Sequence, residues 1–150
     1  MTIKETILEY ASQPITKQVL LSVLNKYKRP YDKINELVKS NELVLLKRGI
    51  YTIGMASKVD RPSPLLLANH LLGPSYVSLE SALSYWGLIP EAVYETTSVT
   101  TKKSKIFNTQ AGSFSYTNLS LPYYSFGIKK VIISKTQTVM QACKKLLFVL

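Results

Sequence analysis

The order of stop signals in the first fifty-four residues constrains this chain more than any other feature. Pro14, the polar run Asn25–Arg29, Asn41 and Gly49 divide it into pieces of a size for three short helices and a hairpin. Thr2-Ile3-Lys4-Glu5 is a capping box, in which the Thr2 hydroxyl accepts from the amide three residues on while Glu5 reaches back. Ile3, Ile7, Leu8 and Ala11 then fall on one face, and Pro14 stops the helix. Thr16 is the next N-cap, with Ile15 placed to pack on Leu20 as a hydrophobic staple. Val19, Leu20, Val23 and Leu24 form the second apolar stripe. Pro30 suits the first turn of a third helix, where its missing amide costs nothing. Tyr31, Ile34, Leu37 and Val38 are that helix's apolar face, and Asn41 can take the left-handed conformation that ends it. Leu43–Lys47 and Ile50–Ile53 are extended runs around Arg48-Gly49, the pattern of a hairpin.

Helix, helix, turn, helix, hairpin is the order of a winged helix-turn-helix, expected over residues 1–54 and followed by a linker at 55–62. In that arrangement the third helix enters the major groove and the hairpin touches the backbone or minor groove. Lys28, Arg29 and Lys33 can then pair with phosphates or guanine edges, and Asn35 with adenine. Lys47 and Arg48 at the hairpin tip suit phosphate or a narrow minor groove. Asp32 and Glu36 oppose this unless they read a cytosine amine or pair with Lys28, Arg29 or Lys33. The same fold also serves as a protein-interaction module, and lysines on an exposed helix face are commonly just solvated, as expected of Lys39.

Charge points the same way. Nineteen Lys and Arg face nine Asp and Glu, for a net +10, and a field of that sign attracts polyanions or an acidic protein. It is spread out, with ten basic and six acidic groups in residues 1–60 and nine and three in residues 61–150. There is no apolar run of about eighteen residues to cross a membrane. The N-terminus has no apolar leader, and the single cysteine, Cys143, offers neither an internal disulfide nor a zinc site. A cytoplasmic protein with no membrane partner is expected.

The second half, residues 63–150, is expected to complete an α+β protein with two helices followed by a small, mostly antiparallel sheet. Ser63 and Pro64 open one helix, carrying Leu65, Leu66, Ala68, Leu71 and Leu72 to a stop at Gly73-Pro74. Ser78 caps the other, with Ala82, Leu83 and Trp86 facing inward and Gly87 ending it. Val93–Thr101, Ile106–Thr109, Phe114–Asn118, Tyr123–Ile128 and Val131–Ser134 are the extended runs, and Lys102, Lys103 and Lys105 make a second basic patch. No catalytic constellation assembles. His70 is the only histidine and sits among leucines; Ser78 and Ser81 lack a nucleophile setting; Glu80, Glu91 and Glu95 are the only acids and form no metal motif. With no glycine-rich phosphate loop either, a nuclease or transferase has little support, and no catalytic residue, metal or cofactor is expected.

Leu46-Lys47-Arg48-Gly49-Ile50-Tyr51, followed by Tyr76-Val77-Ser78-Leu79-Glu80-Ser81-Ala82-Leu83-Ser84-Tyr85-Trp86-Gly87-Leu88, resembles the AbiEi antitoxins of abortive-infection type IV toxin–antitoxin systems. Their pattern is an Arg-Gly-x-Tyr wing and, some thirty residues on, a Tyr-x-Ser-x-x-Ser-Ala-Leu-x-x-x-Gly-Leu helix. Val99-Thr100-Thr101, the basic turn and Phe107-x-Thr109 look like the family's sheet, so the likeness spans roughly residues 5 to 142. The resemblance implies a bacterial repressor whose winged helix binds double-stranded DNA at repeats in its own promoter. It implies a second domain that opposes a nucleotidyltransferase toxin without a stable complex. Arg48, Gly49 and Tyr51 carry over as wing residues, and Ser78, Ser81, Ala82 and Gly87 as structural ones. Family members continue past the last strand with a Pro-Glu-Lys-Ala-Leu-x-Asp helix, where this chain has Cys143–Leu150. One frame away, codons for Cys-Lys-Lys-Leu-Leu-Phe-Val can encode Gln-Lys-Ala-Leu-Cys. A truncated or frameshifted gene is therefore expected, with a less stable second domain.

Overall fold

Short helices and short strands alternate along the chain, and the result is a mixed α+β fold. The computed structural model describes residues 3–54, 62–90, 94–134 and 137–142. Thr2 of the capping box, residues 55–61 of the linker, Glu91 and Val93, and the segment after Ala142 lie outside them. The chain divides into two compact units, Met1–Pro62 and Ser63–Leu150.

The first unit runs α1 (Ile3–Leu8), β1 (Ile15–Thr16), α2 (Lys17–Val23), α3 (Pro30–Lys39), β2 (Leu43–Lys47) and β3 (Ile50–Ile53). Local chemistry sets most of these bounds. The Thr16 hydroxyl accepts from the Val19 amide at 3.3 Å, which caps α2. Pro30 occupies the first turn of α3. Asn41 takes a φ of 61° beyond its end, and the Glu42 amide donates back to the Leu37 carbonyl at 3.0 Å. Gly49 holds a φ of +87° between β2 and β3, which a side chain disfavours and a tight hairpin turn needs. Ile7, Ala11, Ile15, Leu20, Leu24, Ile34, Leu37, Leu43 and Ile53 share one core. Ile15 and Thr16 also form a short strand, a feature absent from the sequence reading. They pair antiparallel with Tyr51 and Ile50, giving a three-stranded sheet in the order β1-β3-β2.

The second unit runs α4 (Pro64–Leu71), β4 (Ser75–Val77), α5 (Leu79–Tyr85), β5 (Glu95–Thr100), β6 (Lys105–Thr109), β7 (Gly112–Asn118), α6 (Leu121–Tyr124), β8 (Ile128–Ser134) and β9 (Gln137–Ala142). Its sheet has the order β6-β7-β5-β4-β9-β8. The expectation of a mostly antiparallel sheet needs correction. β6/β7, β4/β5 and β8/β9 are antiparallel, but β5/β7 and β4/β9 are parallel. Burial accompanies this order. β7 carries Phe114 and Tyr116, both fully buried, and sits inside the sheet, while β6, with exposed Lys105, Ile106 and Asn108, lies at the edge. Likewise β9, with buried Gln141 and Ala142, lies next to β4 and leaves β8, with Lys129 and Lys130, at the other edge. The extended run expected over Tyr123–Ile128 needs correction. Tyr123 and Tyr124 follow Pro122 in the short helix α6, since proline favours a first helical turn, and β8 starts only at Ile128.

Helices cover both faces of this sheet. Tyr116 donates its hydroxyl to the Ala68 carbonyl of α4, and burial pushes its pKa up, which keeps the donor protonated. The Asn69 amide of α4 pairs with both the N–H and the carbonyl of Met140, at 2.7 and 3.2 Å. The β4/β9 ladder pairs Val77 with Gln141, and Asn69 satisfies the backbone of the neighbouring Met140 from α4. On the alternate residues of β5, Thr97 bonds α5 and its cap. Its amide donates to Ser81 Oγ at 2.8 Å, and its hydroxyl donates to the Ser78 carbonyl at 2.7 Å and accepts from the Ser81 amide at 3.0 Å.

Candidate nucleic-acid interface

In α3, Ile34 and Leu37 are buried, while Asp32, Asn35, Glu36 and Lys39 are exposed. At 100° per residue Asn35 and Lys33 lie on opposite flanks of this helix, and Tyr31 shares the flank of Asn35. The structure separates the predicted cations accordingly. Lys28 and Arg29 are exposed before the helix, and the Arg29 side chain is 85% exposed. Lys33 is only 24% exposed. Its ammonium lies 3.4 Å from a Glu36 carboxylate oxygen and 5.7 Å from the Tyr27 ring centre. Asp32 approaches Arg29 at 3.8 Å. The two acids that opposed an anion-binding face are thus each beside a cation, as one of the sequence alternatives required. Such exposed pairs are worth at most about 1 kcal/mol and yield readily to a phosphate.

The β2–β3 turn is held against the start of α2. The Lys17 amide donates to the Gly49 carbonyl at 2.9 Å, and Thr16 pairs with Ile50 in the ladder. Arg48 is exposed at this turn and Lys47 is half-buried. Tyr51 is half-buried as well, and its ring packs on the first core, so its clearest role is to support the hairpin. From the other side, the Lys17 ammonium lies 4.7 Å over the Tyr31 ring. One residue therefore touches both the hairpin turn and the first turn of α3.

Sequence reading missed both partners of that contact. Tyr31 was expected on the buried face of its helix but is 53% exposed. The signal was its spacing of four from Asn35, which puts it at the margin of the apolar stripe. Lys17 was hidden behind its cap residue, Thr16.

In the second unit, Lys102, Lys103 and Lys105 are exposed on and beside an ordered loop. Asn118 Nδ2 donates to the carbonyls of Thr101 and Lys102 at 3.2 and 2.8 Å, and its amide donates to Ser104 Oγ at 3.0 Å. The Lys105 ammonium lies 4.8 Å over the Phe107 ring.

His70, Ser78, Ser81 and Gly87 all lie among the described residues. His70 ends α4 on its exposed side, with its pKa lowered by partial desolvation. The Ser81 hydroxyl donates to the Glu95 carbonyl at 3.1 Å besides accepting from Thr97, so it is a packing residue. Ser78 precedes α5 but makes no side-chain cap; its backbone bonds Thr97 instead. Gly87 ends the α5 segment at a φ of +71°. Among the described residues no three His, Cys, Asp or Glu side chains gather as metal ligands, and no helix is long and apolar enough to cross a membrane. A largely apolar hollow of about 460 Å³ opens beside Tyr76, Leu79, Val99, Leu119, Tyr123 and Phe126.

No protein-family model matches the chain, and a comparison with curated proteins finds no match.

Proposed function

We propose that residues 1–54 are a winged helix-turn-helix that binds double-stranded DNA, and that the chain is a transcriptional repressor acting on its own promoter. The observation that carries this reading is the double engagement of Lys17, by backbone with Gly49 and by side chain with Tyr31. It gathers the hairpin turn, the start of α2 and the start of α3 at one corner of the unit. Arg48, Lys28, Arg29 and Asn35 then supply cations and an amide in the order that a helix in the major groove and a wing on the backbone require.

The two kinds of contact separate experimentally. Arg48→Ala removes a sequence-independent contact. It should weaken binding to the native upstream DNA and to random duplex alike and lower the salt slope by about one. Asn35→Ala should cost about 1–3 kcal/mol on the native site only. Fluorescence anisotropy on both duplexes measures this; wild-type affinity for both variants would rule out the docking face.

The likeness to the AbiEi antitoxins supports a further step. In this reading the chain is the antitoxin of a type IV pair, and its second domain opposes a nucleotidyltransferase toxin without a lasting complex. Co-expression with a nucleotidyltransferase encoded beside it should restore growth. Continued arrest, with DNA binding intact, would leave a stand-alone regulator.

A further inference from the structure

We infer that Lys17 and Tyr31 form a phosphate clamp: the Tyr31 ring holds the Lys17 ammonium in place, and the ammonium binds one backbone phosphate of the duplex. This deepens the proposed DNA-binding reading and rests on it. Lys17 makes no ion pair among the described residues, unlike Arg29 and Lys33, so its charge is uncompensated where it stands. A flexible lysine ordinarily gives up rotamer freedom to hold an anion. Here that freedom is already reduced at both ends. The backbone is fixed by the 2.9 Å bond to Gly49 and the ladder at Thr16, and the ammonium lies 4.7 Å over an aromatic face. A lysine ammonium over a ring still has N–H donors directed away from it, which is what a phosphate oxygen needs. Tyr31 is half exposed at the first turn of α3, so an anion that meets Lys17 also meets the helix proposed to read the groove. In this scheme Lys17 touches the phosphate, and Tyr31 acts through Lys17 as a positioning residue.

The test measures affinity against salt on the native upstream duplex and on random duplex, for wild type, Lys17→Ala, Lys17→Arg, Tyr31→Phe, Tyr31→Ala and Arg48→Ala. Lys17→Ala should reduce the magnitude of the log–log salt slope by about 0.9 on both duplexes and weaken binding about eightfold near 0.1 M salt. Lys17→Arg should restore the slope. Tyr31→Phe keeps the ring and should keep the slope. Tyr31→Ala should weaken binding severalfold with the slope little changed, because the charge remains but is no longer held. Both positions are at the surface, and circular dichroism melts check that each variant is folded. If wild type binds, Arg48→Ala lowers the slope and Lys17→Ala changes nothing, the clamp is wrong while the DNA-binding reading stands. If Tyr31→Ala equals wild type, the positioning role is wrong. If wild type binds neither duplex at low salt, both readings fall together.

Discussion

Gly54→Ala should destabilise the first unit by about 3 kcal/mol. A Cβ at this position would run into the carbonyl group of Asn41 and crowd the carbonyl carbon of Glu42. All of these are backbone atoms, so no rotamer change can make room. Asn41 is already held at a φ of 61° by the end of α3, and the Gly54 amide donates to the Glu42 carbonyl at 3.0 Å. The methyl would have to push β3 away from the α3–β2 junction and break that bond. Gly49→Ala is the natural contrast. Its Cβ would meet nothing, but its φ of +87° would strain any side chain, and the cost should be about 1 kcal/mol. Hydrogen exchange at Leu43 and Ile53 reads the first unit directly, and fluorescence of Trp86, which lies in the second unit, serves as the control. Equal protection in the two variants would show that the junction yields and that close approach is not why glycine stands there.

That glycine also marks where sequence reading loses its hold. Thr16, Pro30, Asn41 and Gly49 act through their own backbone conformation or through neighbours a few residues away, and each does in the structure what its residue type implies. Gly54 reads as the start of a linker because its constraint comes from a residue thirteen positions earlier. The same distinction governs the second unit. β5 is Glu-Thr-Thr-Ser-Val-Thr, which looks like a solvated strand, yet Thr96, Thr97, Ser98, Val99 and Thr100 are all buried. They tolerate burial where a distant acceptor is supplied: Thr97 Oγ1 donates to the Ser78 carbonyl and Thr100 Oγ1 to the Pro74 carbonyl, both at 2.7 Å. Period-two alternation shows which residues share a face but not which strand lies alongside, so the parallel β5/β7 and β4/β9 pairings were not legible. In the candidate site, residue types identified the cations, but their compensation was a matter of geometry. Lys33 and Arg29 look alike in sequence, and only the fold covers the first against Glu36 and Tyr27 while leaving the second in solvent.

That difference in compensation sets the expected salt dependence of DNA binding, the second large effect. Lys17, Lys28, Arg29 and Arg48 are the cations of the first unit best placed to meet phosphates in the proposed docking, whereas Lys33 must first leave Glu36. About four neutralised phosphates correspond to a log K against log salt slope of about −3.6. Affinity should then fall roughly 150-fold between 50 and 200 mM salt. Arg29 is the swing residue. If Asp32 keeps it at the 3.8 Å seen here, the slope drops towards −2.7, and Asp32→Asn should bring it back. The measurement also bears on the second unit. A slope near −3.6 that is unchanged when Lys102, Lys103 and Lys105 are all replaced by Gln confines the contacts to the first unit. A slope of about −6 or steeper that falls by about three in that triple variant would bring the loop held by Asn118 onto the same duplex. A slope near zero would show that the net charge of +10 does not meet DNA phosphates and would rule out the proposed docking.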